Sequence, residues 1–307
     1  MAYHKRSIGA HTNLQQLASY RLAAARLPVN RKSRAMRQLT GPFASAMRGR
    51  GMEFEDVRQY QPGDDIRAID WRVTARTGQT HTKQYREERE KPVILAVDQR
   101  QTMFFGSRCA MKSVMASDIA AYLAWACYQS GDRVGGLVFN NHSHQEIRPR
   151  RHRKTILHFL QQLAEYNGQL NNLPLPSSQH WLQILPDIKR ICRPGTRLFL
   201  ISDFHDLNDD CAALLHDIAR SCEVFAIQIH DPLEQTLPAS GIYPFFDGQQ
   251  KVIFDSNQHK IRQQYQQDFA THQQYLQKSL SRLGIVFMPI STEQEPLNTL
   301  HHYFGKR

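Results

Sequence analysis

The sequence predicts an α/β fold: a doubly wound, mainly parallel sheet with helices on both faces. Two observations carry this. From Pro92 onward, apolar runs of strand length alternate with segments of helical spacing, the pattern of a parallel sheet built from crossover units. Val93 to Val97 is a continuous apolar run rich in β-branched residues, which suits a central strand buried on both faces. That strand closes at Asp98. In an open α/β sheet, ligands sit in the loops outside the carboxyl ends of the strands.

Taken in order, residues 12 to 27 read as an amphipathic helix with Leu14, Leu17, Leu22 and Ala25 on one face, ending at Pro28. Residues 29 to 40 form a basic connection. Val57 to Tyr60 and Thr80 to Arg86 alternate as strands do, and the second is placed along the edge of the main sheet, beside 92 to 98. A helix over 108–130 carries Ala116, Ile119, Ala120, Leu123, Ala124 and Cys127 at helical spacing and stops at Gly131-Asp132. Arg133 to Phe139 is the next strand, where Gly135 and Gly136 signal a close backbone approach. Further helices are expected over 152–166, 181–192 and 207–221, and strands over 197–202 and 223–229. Ile242 to Phe246 and Lys251 to Phe254 flank Asp247-Gly248, a hairpin signal. A helix over 259–283 follows, with Ile261, Tyr265, Phe269, Leu276, Leu280 and Leu283 as its stripe, then a strand at 286–290 and a helix at 297–304.

The 307 residues divide into an N-terminal elaboration, 1–90, packed on a main domain, 91–307, with a hairpin inserted near 240–255. No apolar run approaches the roughly 18 residues that cross a bilayer, and the N-terminus has no apolar signal-peptide core. The five Cys are scattered, without CxxC spacing, and read as buried thiols; a cytoplasmic protein is expected. The net charge of +11 is uneven. Ten Lys and Arg precede the first acid, Glu53, and a second cluster is Arg148, Arg150, Arg151, Arg153 and Lys154. Such asymmetry suits nucleic acid, an anionic membrane surface or an acidic protein, and a solvated face equally. The run RKSRAMR has no interleaved aromatics of the kind single-strand binders stack on.

A denser signal lies at 51–107. Gly51, Glu53, Phe54, Arg58, Tyr60, Pro62, Gly63, Asp64, Asp65, Arg67, Ile69, Asp70, Trp71, Ala75, Arg76 and Gly78 fall in step with a long motif, followed by the strand ending in Asp98 and by Thr102-Met103 and Phe105-Gly106-Ser107. With Ile201–Asp206 and with Asp231, Pro232, Glu234, Leu237 and Pro238, these residues resemble the family catalogued as domain of unknown function fifty-eight. That family is related to von Willebrand factor type A domains. The resemblance implies a type A, Rossmann-like sheet and a non-enzymatic protein-interaction module. It further implies a partnership with an AAA+ ATPase of the MoxR type acting on a client protein.

Type A domains hold a divalent cation in a loop reading Asp-x-Ser-x-Ser, and the chemistry suits Mg²⁺ with hard oxygen ligands. In this chain Asp98 is the first acid, Thr102 stands at the last Ser, and Asp203 maps onto the second acid. Arg100 takes the middle position, and a guanidinium cannot coordinate a cation. Ser177 and Ser178 are poorly registered candidates for the distant Thr. The expectation is an internal Asp98–Arg100–Asp203 ion network rather than a working Mg²⁺ site.

The motif PGDDIRAIDW places Asp64, Asp65 and Asp70 near Arg58, Arg67, Arg72 and Arg76. Clustered acids can hold paired metals in a hydrolase. The equal supply of Arg favours ion pairs that tie turns together, with Tyr60 and Trp71 covering them and Gly63 serving the turn. His142, His144, His301 and His302 fall in surface segments, and no P-loop or GxSxG is present. A basic nucleic-acid-binding protein and a hydrolase built on the three aspartates stay open as alternatives.

Overall fold

The computed structural model describes residues 7–29, 52–61, 64, 66–87, 90–169, 181–238, 241–246, 251–255 and 259–305. Two compact units result. Residues 1–40 and 92–307 group into a large one, and 41–91 form a small one.

The large unit begins with two short helices, Leu14–Ser19 (α1) and Arg21–Ala24 (α2), in place of one continuous helix. The carbonyl of Leu17, which Arg21 would need to continue the first, accepts from the Trp125 indole at 3.1 Å. Leu14 and Leu22 are exposed; the buried face is Leu17, Tyr20, Ala24 and Leu27.

The small unit pairs two antiparallel strands, Met52–Gln59 (β1) and His81–Glu87 (β2), around the helix Trp71–Thr77 (α3). The second strand therefore lies against β1 and not along the main sheet, which corrects the placement expected from sequence. The sequence HTKQYRE is polar at most positions, so its pattern names no partner strand.

The main sheet contains Pro92–Asp98 (β3), Arg133–Phe139 (β4), His144–Arg150 (β5), Arg197–Ser202 (β6), Glu223–His230 (β7) and Val286–Ser291 (β10). Its order is β10-β7-β6-β3-β4-β5. Five strands run parallel, and β5 is an antiparallel edge. The order reverses between β3 and β6, which makes the gap at their carboxyl ends the topological switch point. Ile242–Phe246 (β8) and Lys251–Asp255 (β9) form the expected hairpin as a separate ribbon.

Side-chain alternation along β3 divides the core. Val93, Leu95 and Val97 face helices Lys112–Gln129 (α4) and Arg153–Gln169 (α5), while Ile94 and Ala96 face Trp181–Ile191 (α6) and Ala212–Ala219 (α7). Helix α4 is buried on every side from Lys112 to Cys127, since α1, α2 and α5 cover the face turned from the sheet. The two glycines of β4 are close-approach sites, as their spacing suggested. A Cβ on Gly136 would lie 2.4 Å from the Phe159 ring, and one on Gly135 would lie 2.3 Å from the Ile147 carbonyl of β5.

Beyond β7 the short helix Pro232–Gln235 (α8) precedes the ribbon; then come His259–Arg282 (α9) and, after β10, Pro296–Phe304 (α10). In α9 only Leu276 and Leu280 are buried, and Ile261 is exposed, so its core contact lies in the C-terminal half and not along the whole expected stripe. The cysteines are free thiols, with Cys127, Cys211 and Cys222 buried. Among the described residues, no helix is long and apolar enough to cross a membrane.

Candidate functional site

The carboxyl rim of the main sheet carries a chain of ion pairs that begins at the switch point. Asp98 ends β3, and Asp203 directly follows β6; because the strands are parallel neighbours, their ends meet. Ser202 joins the two, its Oγ donating to Asp98 Oδ2 at 2.6 Å and lying 3.4 Å from Asp203 Oδ1. All three are buried, Asp98 completely.

Arg100 closes one side. Its backbone N–H donates to Asp98 Oδ1 at 2.8 Å, its Nε lies 3.0–3.1 Å from both Asp98 oxygens, and Nη2 donates to Oδ2 at 2.8 Å. The same guanidinium forks onto Asp206, with Nη1 at 2.8 Å and Nη2 at 2.9 Å from its two oxygens. Its Cζ stands 5.8 Å from the Phe139 ring centroid and 5.7 Å from that of Trp181. Aromatic faces suit a guanidinium that has lost its water.

Lys112, the first residue of α4, closes the other side. Its Nζ donates to Asp203 Oδ2 at 3.0 Å and to Glu234 Oε1 at 2.5 Å. The other oxygen of Glu234 accepts from the Asp231 N–H at 2.8 Å in the capping box that starts α8. Asp231 accepts from Ser107 N–H at 3.0 Å, from the Ser107 hydroxyl, and from Thr292 Oγ1 at 2.7 Å. The group thus runs from Asp206 to Thr292, across the ends of β3, β6, β7 and β10.

The electrostatics follow from burial and pairing. Burial pushes the Asp98 carboxyl up, with Arg100 opposing. Burial works the same way on Asp203, but Lys112 and Arg100 outweigh it and hold this carboxyl down to about 2. Arg100 and Lys112 are each driven above their ordinary values, burial being overcome by Asp98 and Asp206 for the first and by Asp203 and Glu234 for the second.

The turn after β6 is strained. Phe204 has φ 54°, a left-handed conformation that costs a non-glycine residue about 1 kcal/mol or more. It is held by a bond from its N–H to Ser202 Oγ at 3.1 Å and by stacking on Trp181 at 5.3 Å between centroids. Trp181 in turn donates its backbone N–H to Asp206 at 3.3 Å.

Of the residues expected here, Asp98, Arg100 and Asp203 come together. The guanidinium, however, bridges Asp98 to Asp206, and Asp203 pairs with Lys112. Thr102 is exposed on the 3-10 turn Gln101–Met103 and takes no part in this group. Ser177 and Ser178 lie outside the described residues. Sequence reasoning missed Lys112, Ser202 and the pairing roles of Asp206 and Glu234. The two acids already stood inside quoted motif segments, but nothing marked a Lys at a helix start as their partner. The residues do not fit Mg²⁺: both oxygens of Asp98 are engaged by Arg100, and an ammonium sits where Asp203 and Glu234 would offer oxygen. Among the described residues, no three His, Cys, Asp or Glu are grouped to hold a metal.

The Arg/Asp motif is built differently. Arg58 pairs with Asp64 at 2.7 Å, Asp64 also accepts from Gln61 N–H at 2.9 Å, and Tyr60 Oη donates to the Asp64 carbonyl at 3.4 Å. Arg58 holds the Asp64 carboxyl below the usual range. Asp70 instead caps α3, accepting from Arg72 and Val73 N–H at 3.0 and 3.1 Å. Trp71 is 67% exposed and does not cover the pair, a correction to the expected clamp; the helix start turns its side chain to solvent. Arg76 lies exposed in the last turn, ahead of Gly78 at φ 70°. Gly63, Asp65 and the Arg67 side chain lie outside the described residues.

Uncharacterized protein Mb1516 of Mycobacterium bovis and uncharacterized protein Rv1480 of Mycobacterium tuberculosis are each 27% identical to this chain over 277 residues, 88% of it and 84% of their own length. Among solved structures, the conserved hypothetical protein BatB from Bacteroides thetaiotaomicron superposes with a TM-score of 0.39 at 14% identity, covering 63% of this chain and 98% of that one. The family described as "Protein of unknown function DUF58" matches residues 56–275. The chain belongs to the DUF58 family.

Proposed function

We propose that this chain is a non-enzymatic protein-interaction module of the von Willebrand factor type A kind. It works beside an AAA+ ATPase of the MoxR type, in the assembly or maturation of a client protein. The observation that carries the reading is the closed state of the switch-point rim. Where enzymes of this architecture place reactive groups, Asp98, Asp203, Asp206 and Glu234 are each bonded to a buried cation. Such a rim is a closed, internally bonded platform, a degenerate version of a metal-dependent adhesion site in which Arg100 replaces the ion.

Around it stand exposed side chains that a partner reaches first, Thr102, His142, His205 and Asn208 among them. The hydrolase alternative loses support because Asp64 is committed to Arg58 and Asp70 to a helix cap.

The test is co-purification with a MoxR-type ATPase from the same cell. Wild type is compared with Thr102→Arg and His205→Glu, both exposed changes that leave the ion pairs intact. Capture by wild type and its loss in these variants is the expected result. Equal capture by all three, or none by wild type, contradicts the assignment.

A further inference from the structure

At the opposite end of the sheet lies a group of charges that the rim does not use. Among the described residues, strand β5 is the sheet's outer edge and is paired on one side only, to β4. Its last residues and the start of α5 carry Arg148, Arg150, Arg153 and Lys154, all exposed, with exposed Arg133 at the head of the neighbouring strand. Among the described residues none of Arg148, Arg150, Arg153 and Lys154 is paired with an acid. The acid on this strand, Glu146, is already taken by Arg190 at 3.1 Å.

Their placement is costly. Arg153 and Lys154 open α5, whose first turn contains no acid, so two cations stand at the positive end of a 17-residue helix. Edge strands are often shielded by charge and proline, and Pro149 serves that purpose here. Shielding needs no single sign, however, and it does not explain cations continuing onto the helix.

We propose that β5 and the start of α5 form a docking edge for an acidic, extended segment of a partner protein, which adds alongside β5. The open main-chain edge of His144 to Ile147 supplies ladder hydrogen bonds. Beyond it the ladder is irregular between Val134 and Gly136, and the cations receive the segment's carboxylates. Arg148 and Arg150 are both exposed at this irregular end, where their long side chains reach carboxylates carried by an added strand. Nucleic acid meets the charges equally well but has no use for main-chain N–H and C=O groups on a strand edge, and no Phe, Tyr or Trp lies in 148–154 for a base to stack on. The inference is independent of the ATPase reading, which rests on the ion pairs at the ends of β3 and β6.

The probe is a fluorescent peptide of about ten residues alternating Glu with Thr, followed by anisotropy. The expected result is binding to wild type, weakened about tenfold or more by Gln in place of Glu, by N-methylation of alternate peptide bonds, and by the Arg148→Glu/Arg150→Glu/Lys154→Glu variant. Reversal of Arg31, Lys32 and Arg34 leaves it unchanged. Thermal melting checks that the triple variant is folded, and single Arg→Gln changes replace it if it is not. Tighter binding of a DNA duplex or of phosphatidylserine vesicles overturns the proposal. Loss with the Arg31 group, or indifference to N-methylation or to the β5 changes, does so too.

Discussion

One sheet treats charge in opposite ways at its carboxyl rim and at its outer edge. At the carboxyl rim Asp98, Arg100, Lys112 and Asp203 are no more than 6% exposed, and every cation has two acid partners. At the amino end, along β5 and the start of α5, Arg148, Arg150, Arg153 and Lys154 are exposed and without acid partners among the described residues. Desolvated charges must be satisfied internally, because water no longer does it, whereas exposed ones remain available to something outside. The first group therefore governs stability and shape, and the second governs association.

The sharpest way to break this comparison is to remove a cation from each end. Arg100→Ala strands Asp98 in the core and is expected to cost about 3–5 kcal/mol in urea unfolding. A cost below about 1 kcal/mol would mean that the rim is not desolvated as described. Lys112→Ala should follow with about 3 kcal/mol, somewhat less because Glu234 is 29% exposed and water can reach it.

Acid titration comes next and separates two buried carboxylates. Asp203, held down to about 2, contributes stability that is fully present above the unfolded value near 3.9 and is lost as pH falls toward 2. Asp118 runs the other way. It is buried on α4 and accepts from Ser7 N–H at 2.9 Å and Ser7 Oγ at 2.6 Å, but burial still pushes it up to about 6. Its contribution is full below about pH 4 and fades as pH rises through 6, by about 3 kcal/mol. Asp118→Asn should flatten the stability profile between pH 4 and 7, as read by thermal melting, while Asp203→Asn should flatten it below pH 4. The smallest effect is expected at the basic end, where Arg148→Ala and Arg150→Ala shift unfolding by no more than about 0.5 kcal/mol.

Much of this was legible in the chain before its fold. The buried parallel strands carry dense apolar runs, so β3, β6, β7 and β10 follow from Val93–Val97, Leu198–Ile201, Val224–Ile229 and Val286–Ile290. Strand β5 escaped for the reason that makes it interesting: HQEIRPR has only Ile147 facing the core, so no period emerges. The N-terminal stripe was misassigned because a Trp125 bond to Leu17, made from across the core, accompanies the break between its two helices. At the site, Asp98 and Asp203 were legible as acids closing apolar strands, and Arg100 as an intruder in a metal loop. Which acid each cation reaches depends on the turn at Phe204 and on Lys112 beginning a helix, and neither leaves a mark in spacing or composition.

Urea unfolding of the wild-type protein in EDTA and in about 5 mM Mg²⁺ tests most directly whether Arg100 and Lys112 already supply the positive charge of the rim. Engagement of the rim carboxylates by these two side chains predicts the same midpoint in both. A gain of about 1 kcal/mol in Mg²⁺, the linkage expected of a site with a Kd near 1 mM, would contradict it.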